Sequence, residues 1–204
     1  MTYKLTYFNG RGRAELTRLI FTAAGAQFED HRIEFSSWPA IGKADAPLGQ
    51  LPYLTVDGVK IPQSVAFARL IAKRFKMAGS DDLEQAKVDA VVDSVTDLQN
   101  AYYLKVFRAK DDERAAVVDK FLAEDAVSHL ERLEKIATLY GNEGFSVGGS
   151  LTWADLHLFD VTSTLLPLSA TVLDKYPRVS AIRKTVETNE KIAAYLKARP
   201  ETPF

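Results

Sequence analysis

The sequence predicts a mixed α/β region followed by an all-helical one. Three observations carry this: period-two alternation at the start, an Asp-Gly signal at positions 57 and 58, and helical periodicity without a convincing strand from residue 82 onward. Tyr3-Lys4-Leu5-Thr6-Tyr7 alternates apolar and polar residues, as a half-buried strand does, and Asn9-Gly10-Arg11-Gly12 breaks it. Leu16, Leu19, Ile20 and Ala23 then recur at helical spacing up to Gly25, a glycine suited to a left-handed cap. A second strand is expected within residues 28–35. Tyr53-Leu54-Thr55-Val56 and Val59-Lys60-Ile61 flank Asp57-Gly58, whose positive φ angles close a two-residue hairpin. Ser64 is placed to cap the next helix, whose apolar face carries Phe67, Leu70, Ile71 and Phe75.

The polar stretch Met77-Ala78-Gly79-Ser80-Asp81-Asp82 reads as a boundary, giving expected domains at 1–78 and 82–204. Beyond it Val88, Val91, Val92, Val95, Leu98 and Tyr102 hold helical spacing, as do Ala126, Leu130, Leu133, Ala137 and Tyr140. Residues 141–150, with four glycines, form a loop. Thr152-Trp153-Ala154-Asp155 reads as a capping box with Asp in place of Glu, stapled by Leu151 and Leu156.

Composition excludes several classes. Lys plus Arg is 26 and Asp plus Glu is 27, so there is no electrostatic reason to expect nucleic acid or an anionic membrane. The apolar runs are too short for a bilayer, and the opening Met1-Thr2-Tyr3-Lys4 lacks the apolar core of a signal peptide. The absence of cysteine removes disulfides, thiolate metal sites and Cys nucleophiles, and fits a cytoplasmic protein. His31, His129 and His157 lack ligand-like spacing, so no metal is expected.

Tyr7-Phe8-Asn9-Gly10-Arg11-Gly12-Arg13-Ala14-Glu15, Trp38-Pro39, Gly49-Gln50-Leu51-Pro52, Val56-Asp57-Gly58, Gln63-Ser64 and Ala68-Arg69 stand in the order of one known family. So do Val88-Asp89-Ala90-Val91-Val92-Asp93 and the Ser150–Asp155 stretch. Together they resemble sigma-class cytosolic glutathione transferases, including hematopoietic-type prostaglandin D synthases, with nematode members closest in the style of the C-terminus. The resemblance implies a thioredoxin-like domain with a cis-proline at Pro52, followed by a helical bundle, in a two-fold homodimer.

It also implies residue roles. Tyr7 becomes the group that activates the glutathione thiol, with Arg13 adding positive potential beside it. A free thiol has a pKa of about 8.5, and a hydroxyl donating to sulfur favours the anion. Gln63 and Ser64 suit the γ-glutamyl carboxylate at a helix start. The backbone of Leu51, beside Gly49 and Pro52, matches the strand-like partner of the cysteinyl amide. Trp38, Lys43 and Gln50 match the glycyl end. The stretch between Trp38 and Pro47 holds one extra residue against some relatives, which affects the register of Lys43. Asp97 resembles the acid that reaches the ligand's amine in the partner subunit. Phe8, Gly10, Gln99, Tyr103 and Phe204, with Arg13, are candidates for the electrophile site, and glycines at 10 and 12 imply an open mouth. Glu15 and Arg69 read as a structural ion pair.

The expected activity is transfer of glutathione sulfur to hydrophobic electrophiles, with glutathione a cosubstrate and no cofactor. The alternatives are carriage of haem or other lipophilic ligands, and glutathione-dependent prostaglandin isomerisation. Against the latter, Leu104 stands where those synthases carry a tryptophan, and Thr96 interrupts their acidic trio at Asp93, Thr96 and Asp97.

Overall fold

The computed structural model describes the chain except Gly42, Glu143, Pro203 and Phe204 and the side chains of Ala40 and Ile41. Phe204, a candidate for the electrophile site, therefore lies outside the described residues. The chain forms two compact units, Met1–Phe75 with Asn189–Phe204 and Lys76–Thr188.

The first unit is built on β1 (Tyr3–Phe8), α1 (Glu15–Ala24), β2 (Glu29–Ile33), α2 (Trp38–Ile41), β3 (Tyr53–Val56), β4 (Val59–Pro62), α3 (Ser64–Arg74) and α9 (Glu190–Ala198). The sheet runs β2-β1-β3-β4; β1 is parallel to β2 and antiparallel to β3, and β3 is antiparallel to β4. Alternation along the strands separates two faces. Leu5, Tyr7, Leu54 and Val56 are buried on one of them, and the adjoining core takes Leu19, Ile20, Phe67 and Ile71 from α1 and α3. Asp57 and Gly58 hold φ at 47° and 88°, the pair of positive angles that a hairpin of matching twist needs. Gly25 ends α1 at φ 67°, and its N–H reaches Thr22 O at 2.9 Å.

The expected capping role of Ser64 is corrected. Ser64 is the first residue of α3, and Gln63 occupies the cap position at φ 72° without a side-chain cap bond. Gln63, at φ 72° and ψ 102°, lies outside both strand and helix conformations, so the break between β4 and α3 falls one residue before Ser64.

The last helix, which the sequence places in the 82–204 domain, groups with the first unit through its contacts with α1. Glu15, buried in α1, accepts from Tyr195 Oη at 3.0 Å and Arg199 Nη1 at 2.7 Å, and Arg18 Nη1 donates to it at 3.1 Å. Lys191 Nζ donates to Ala23 O at 3.4 Å. A buried carboxylate left without these partners would be costly, so α9 packs with the first unit. In place of the expected pair with Arg69, the Glu15 carboxylate is held by Arg18, Tyr195 and Arg199.

The second unit contains α4 (Asp82–Tyr102), a π-helical turn (Tyr103–Phe107), α5 (Arg114–Phe121), a second π-helical turn (Leu122–Ala126), α6 (Val127–Tyr140), α7 (Trp153–Leu165) and α8 (Pro177–Thr188). Among its described residues there is no strand, only an isolated bridge between Gly141 and Gly148. Val88, Val91, Val92, Val95 and Leu98 bury one face of α4. Residues 153–162 of α7 are buried throughout, the pattern of a central helix. Its start is the expected capping box. Asp155 accepts from Thr152 N at 2.7 Å, Thr152 Oγ1 at 3.0 Å, Ser146 N at 2.7 Å and Ser146 Oγ at 2.6 Å. Burial pushes this carboxyl up, and the surrounding donors pull against it. His157 is buried, with Nε2 3.1 Å from Thr96 Oγ1.

Candidate active site

A cavity of about 520 Å³ opens in the first unit where the ends of β1, β3 and β4 meet the connection before β3. β1 delivers Phe8, the turn that follows delivers Arg13, and α2 delivers Trp38. Gly49, Gln50, Leu51 and Pro52 form another wall, and Gln63 and Ser64 close the site from the head of α3. The Leu51–Pro52 peptide is cis, as the resemblance implied. Leu48 and Pro62 also line the cavity, and the sequence reading named neither. One sits in an irregular connection and the other at a strand end, where no periodicity marks a ligand-facing side chain.

Tyr7 is nearly buried at 8% exposure and is not among the described lining residues. Its hydroxyl is tied to the cavity wall, because Arg13 N–H donates to Tyr7 Oη at 3.3 Å. A donor on the phenolic oxygen polarises the O–H and strengthens it as a donor in turn. Gly12 makes this approach possible. Its φ is 41°, and a Cβ at that position would overlap the Tyr7 hydroxyl. So Gly12 does not open the mouth of the site, as the sequence suggested; its empty side is filled by the tyrosine.

Gly10 likewise is buried, with its carbonyl accepting from Arg18 Nη1 at 2.7 Å. Through this backbone carbonyl the buried Arg18 guanidinium braces the loop after β1. Phe8 is half-buried in an aromatic cluster, its ring 5.4 Å from that of Tyr7 and 5.7 Å from that of Trp38. Lys43 is exposed and is not among the described lining residues.

Asp97, Gln99 and Tyr103 belong to the second unit. Asp97 is exposed on α4, Gln99 is buried there, and Tyr103 opens the π-helical turn with its ring 5.5 Å from Phe107. Among the described residues, no group of three or more His, Asp or Glu could hold a metal ion. No helix among them is long and apolar enough to cross a membrane.

Residues 3–73 match the family model for the glutathione S-transferase N-terminal domain, and residues 96–199 match that for the C-terminal domain. The chain belongs to the glutathione S-transferase family. Among its relatives in this family, it is 42% identical over 200 residues to hematopoietic prostaglandin D synthase of Gallus gallus, covering 98% of each chain. Two solved glutathione S-transferases resemble it over their full extent. Na-GST-3 of the hookworm Necator americanus, described as monomeric, aligns with TM-score 0.90, 36% identity and 100% of both chains. The sigma-class transferase of Fasciola hepatica aligns with TM-score 0.90 and 31% identity, over 100% of this chain and 99% of its own.

Proposed function

We propose that this glutathione transferase binds reduced glutathione in the first-unit cavity, activates the thiol through Tyr7, and transfers the sulfur to hydrophobic electrophiles. The observation that carries this reading is the Tyr7 hydroxyl, held by the Arg13 N–H beside the cavity wall. Only a few per cent of a free thiol is ionised near neutrality, its pKa being about 8.5. A hydroxyl that donates to the sulfur favours the thiolate, and the positive end of α1 acts in the same direction. The thiol proton leaves to solvent, the sulfur attacks the electrophilic carbon, and the leaving group departs with its electron pair.

Glutathione would lie extended, its cysteinyl amide pairing with the backbone of Leu51, its γ-glutamyl carboxylate at Gln63 and Ser64, and its glycyl end toward Trp38, Gln50 and Lys43. The backbone of Gln63, at φ 72° and ψ 102°, supports a site here, since strained non-glycine residues cluster at ligand clamps. Glutathione is consumed as a cosubstrate, and the step needs no cofactor.

The same proposal includes a cytoplasmic homodimer in which Asp97 reaches the partner's ligand. Light scattering together with calorimetry on Asp97→Ala tests it; a monomer, or unchanged glutathione affinity in an intact dimer, would remove the cross-subunit role. Identity to the avian synthase favours including prostaglandin H among the substrates assayed. The resemblance implies an acid at Thr96 and a tryptophan at Leu104 in those synthases; here Thr96 donates to Val92 O at 2.8 Å and Leu104 is a 63% exposed aliphatic residue. Conjugation of general electrophiles is therefore expected to exceed isomerisation. A haem titration in the same assay separates carriage from catalysis.

The deciding experiment is Tyr7→Phe, which removes one hydroxyl and little volume. Turnover should fall about tenfold or more, equivalent to about 1.4 kcal/mol or more, with glutathione affinity held. Near-wild-type turnover across the pH range would exclude Tyr7 as the activating group.

A further inference from the structure

The irregular connection of residues 43–50 supplies Leu48, Gly49 and Gln50 to the cavity wall. Irregular segments open locally more readily than strands and helices, so a wall built on one depends on side chains that tie it down. Three residues tie this one down. Tyr53 Oη donates to Asp45 Oδ2 at 2.9 Å, Lys60 Nζ donates to Asp45 O at 3.0 Å, and Lys60 Nζ also forms a short contact with Asp45 Oδ1. The same ammonium stands 5.5 Å from the centre of the Tyr53 ring, within cation–π range.

The sheet explains why these residues meet. Thr55 pairs with Lys60 and Tyr53 with Pro62, so Tyr53 and Lys60 are diagonal neighbours on one face of the β3–β4 hairpin. That face is opposite the one carrying Leu54 and Val56. There Asp45, Tyr53 and Lys60 share a second cavity of about 280 Å³ with Trp38, and Trp38 also lines the first cavity.

From the tie to the first cavity the path is short. Ala46, next to Asp45, is buried, and its carbonyl accepts from Gly49 N at 3.0 Å. Gly49 turns the chain at φ 62° and hands it to Gln50. We infer that Asp45, Tyr53 and Lys60 form a clamp that holds the 43–50 connection in its binding geometry, making them positioning residues for glutathione. This rests on the reading that the first cavity takes glutathione.

The clamp acts on position more than on global stability. Asp45 and Lys60 side chains are 59% and 35% exposed, and pairs so exposed add little to the free energy of folding. What they restrict is the freedom of one connection, and preorganising a binding wall raises affinity by lowering the ordering cost of the complex.

The test compares Asp45→Ala, Lys60→Met, Lys60→Arg and the Asp45→Ala/Lys60→Met double variant with Ser64→Ala, reading KM for glutathione, kcat and Tm. Asp45→Ala and Lys60→Met should each raise the glutathione KM about three- to tenfold while kcat stays within about twofold. The double variant should be no worse than the more affected single one, because both remove the same tie. Lys60→Arg should retain most of the affinity. An unchanged KM in both single clamp variants, with Ser64→Ala weakened, overturns the clamp and leaves the glutathione cavity standing. Unchanged KM in all of them, Ser64→Ala included, overturns the cavity assignment and the clamp with it. A large fall in Tm with kcat and KM lost together makes the cluster part of the fold's support and overturns the positioning role.

Discussion

Gly12 and Tyr7 share one small volume, which a methyl group at position 12 would contest. The positive φ of 41° adds a backbone reason for glycine there, of about 1 kcal/mol for a residue with a Cβ. Gly12→Ala is expected to displace the Tyr7 hydroxyl from the Arg13 N–H and lower kcat about tenfold or more, with the fold retained. Steady-state kinetics beside circular dichroism check this, and wild-type kcat in a folded variant would count against it. Because both substitutions act on one hydroxyl, the Gly12→Ala/Tyr7→Phe double variant should be little worse than Tyr7→Phe alone. The sequence pointed to Tyr7 through the resemblance carried by the Tyr7–Glu15 stretch. The role of Gly12 was not legible there, since a Gly-rich turn looks alike whether its empty side faces solvent or another side chain.

At the scale of elements, α7 shows how a local motif comes to govern a core. Thr152 and Asp155 close the helix start as their spacing predicts, and the carboxylate also satisfies Ser146 from the preceding loop. The motif was legible because capping is a matter of residues three apart. The bonds to Ser146 were not, because they depend on the path of residues 141–150. Asp155→Ala would leave buried N–H and hydroxyl donors of Thr152 and Ser146 without acceptors, at roughly 1–3 kcal/mol for each buried group left unmet. A loss of about 2–5 kcal/mol is therefore expected, most of it from the second unit. Urea unfolding should show a lower midpoint for Asp155→Ala and a smaller loss for Asp155→Asn, which keeps one carbonyl acceptor. An unaltered midpoint for both would refute the energetic weight given to the box.

For the molecule as a whole, the chain doubles back, and its last helix completes the unit with which it began. Glu15 is 1% exposed, and Arg18, Tyr195 and Arg199 surround its carboxylate. Burial, and next the Glu15 charge, push the Tyr195 phenol well above its ordinary value, so it remains a donor across the working pH range. Breaking a buried pair from one side strands the other charge, at about 3–5 kcal/mol. Glu15→Ala should therefore strongly destabilise the first unit, and Arg199→Ala, at a more exposed group, should do so less. Limited proteolysis is expected to release the segment after residue 188 in Glu15→Ala before it does so in the parent protein. Equal resistance in both would show that α9 is held by other contacts.

Features that depend on neighbours along the chain could be read from residue order alone. The Asp57-Gly58 hairpin, the end of α1 at Gly25, the apolar stripe of α4 and the Thr152–Asp155 box each rest on spacings of a few residues, where turn chemistry and helical period act directly. The sequence motifs also assembled, in order, most of the residues that now line one cavity. Which distant groups meet is set by the folded path of the chain. Glu15 and Arg199 are 184 positions apart, and no periodicity records that one buried carboxylate will draw the last helix onto the first. The tie from Asp45 to Tyr53 and Lys60, the overlap of Gly12 with Tyr7, and the cap position of Gln63 in place of Ser64 are of the same kind. Each depends on how the backbone is routed in space, because burial and desolvation, which set the worth of these contacts, exist only once the chain has folded.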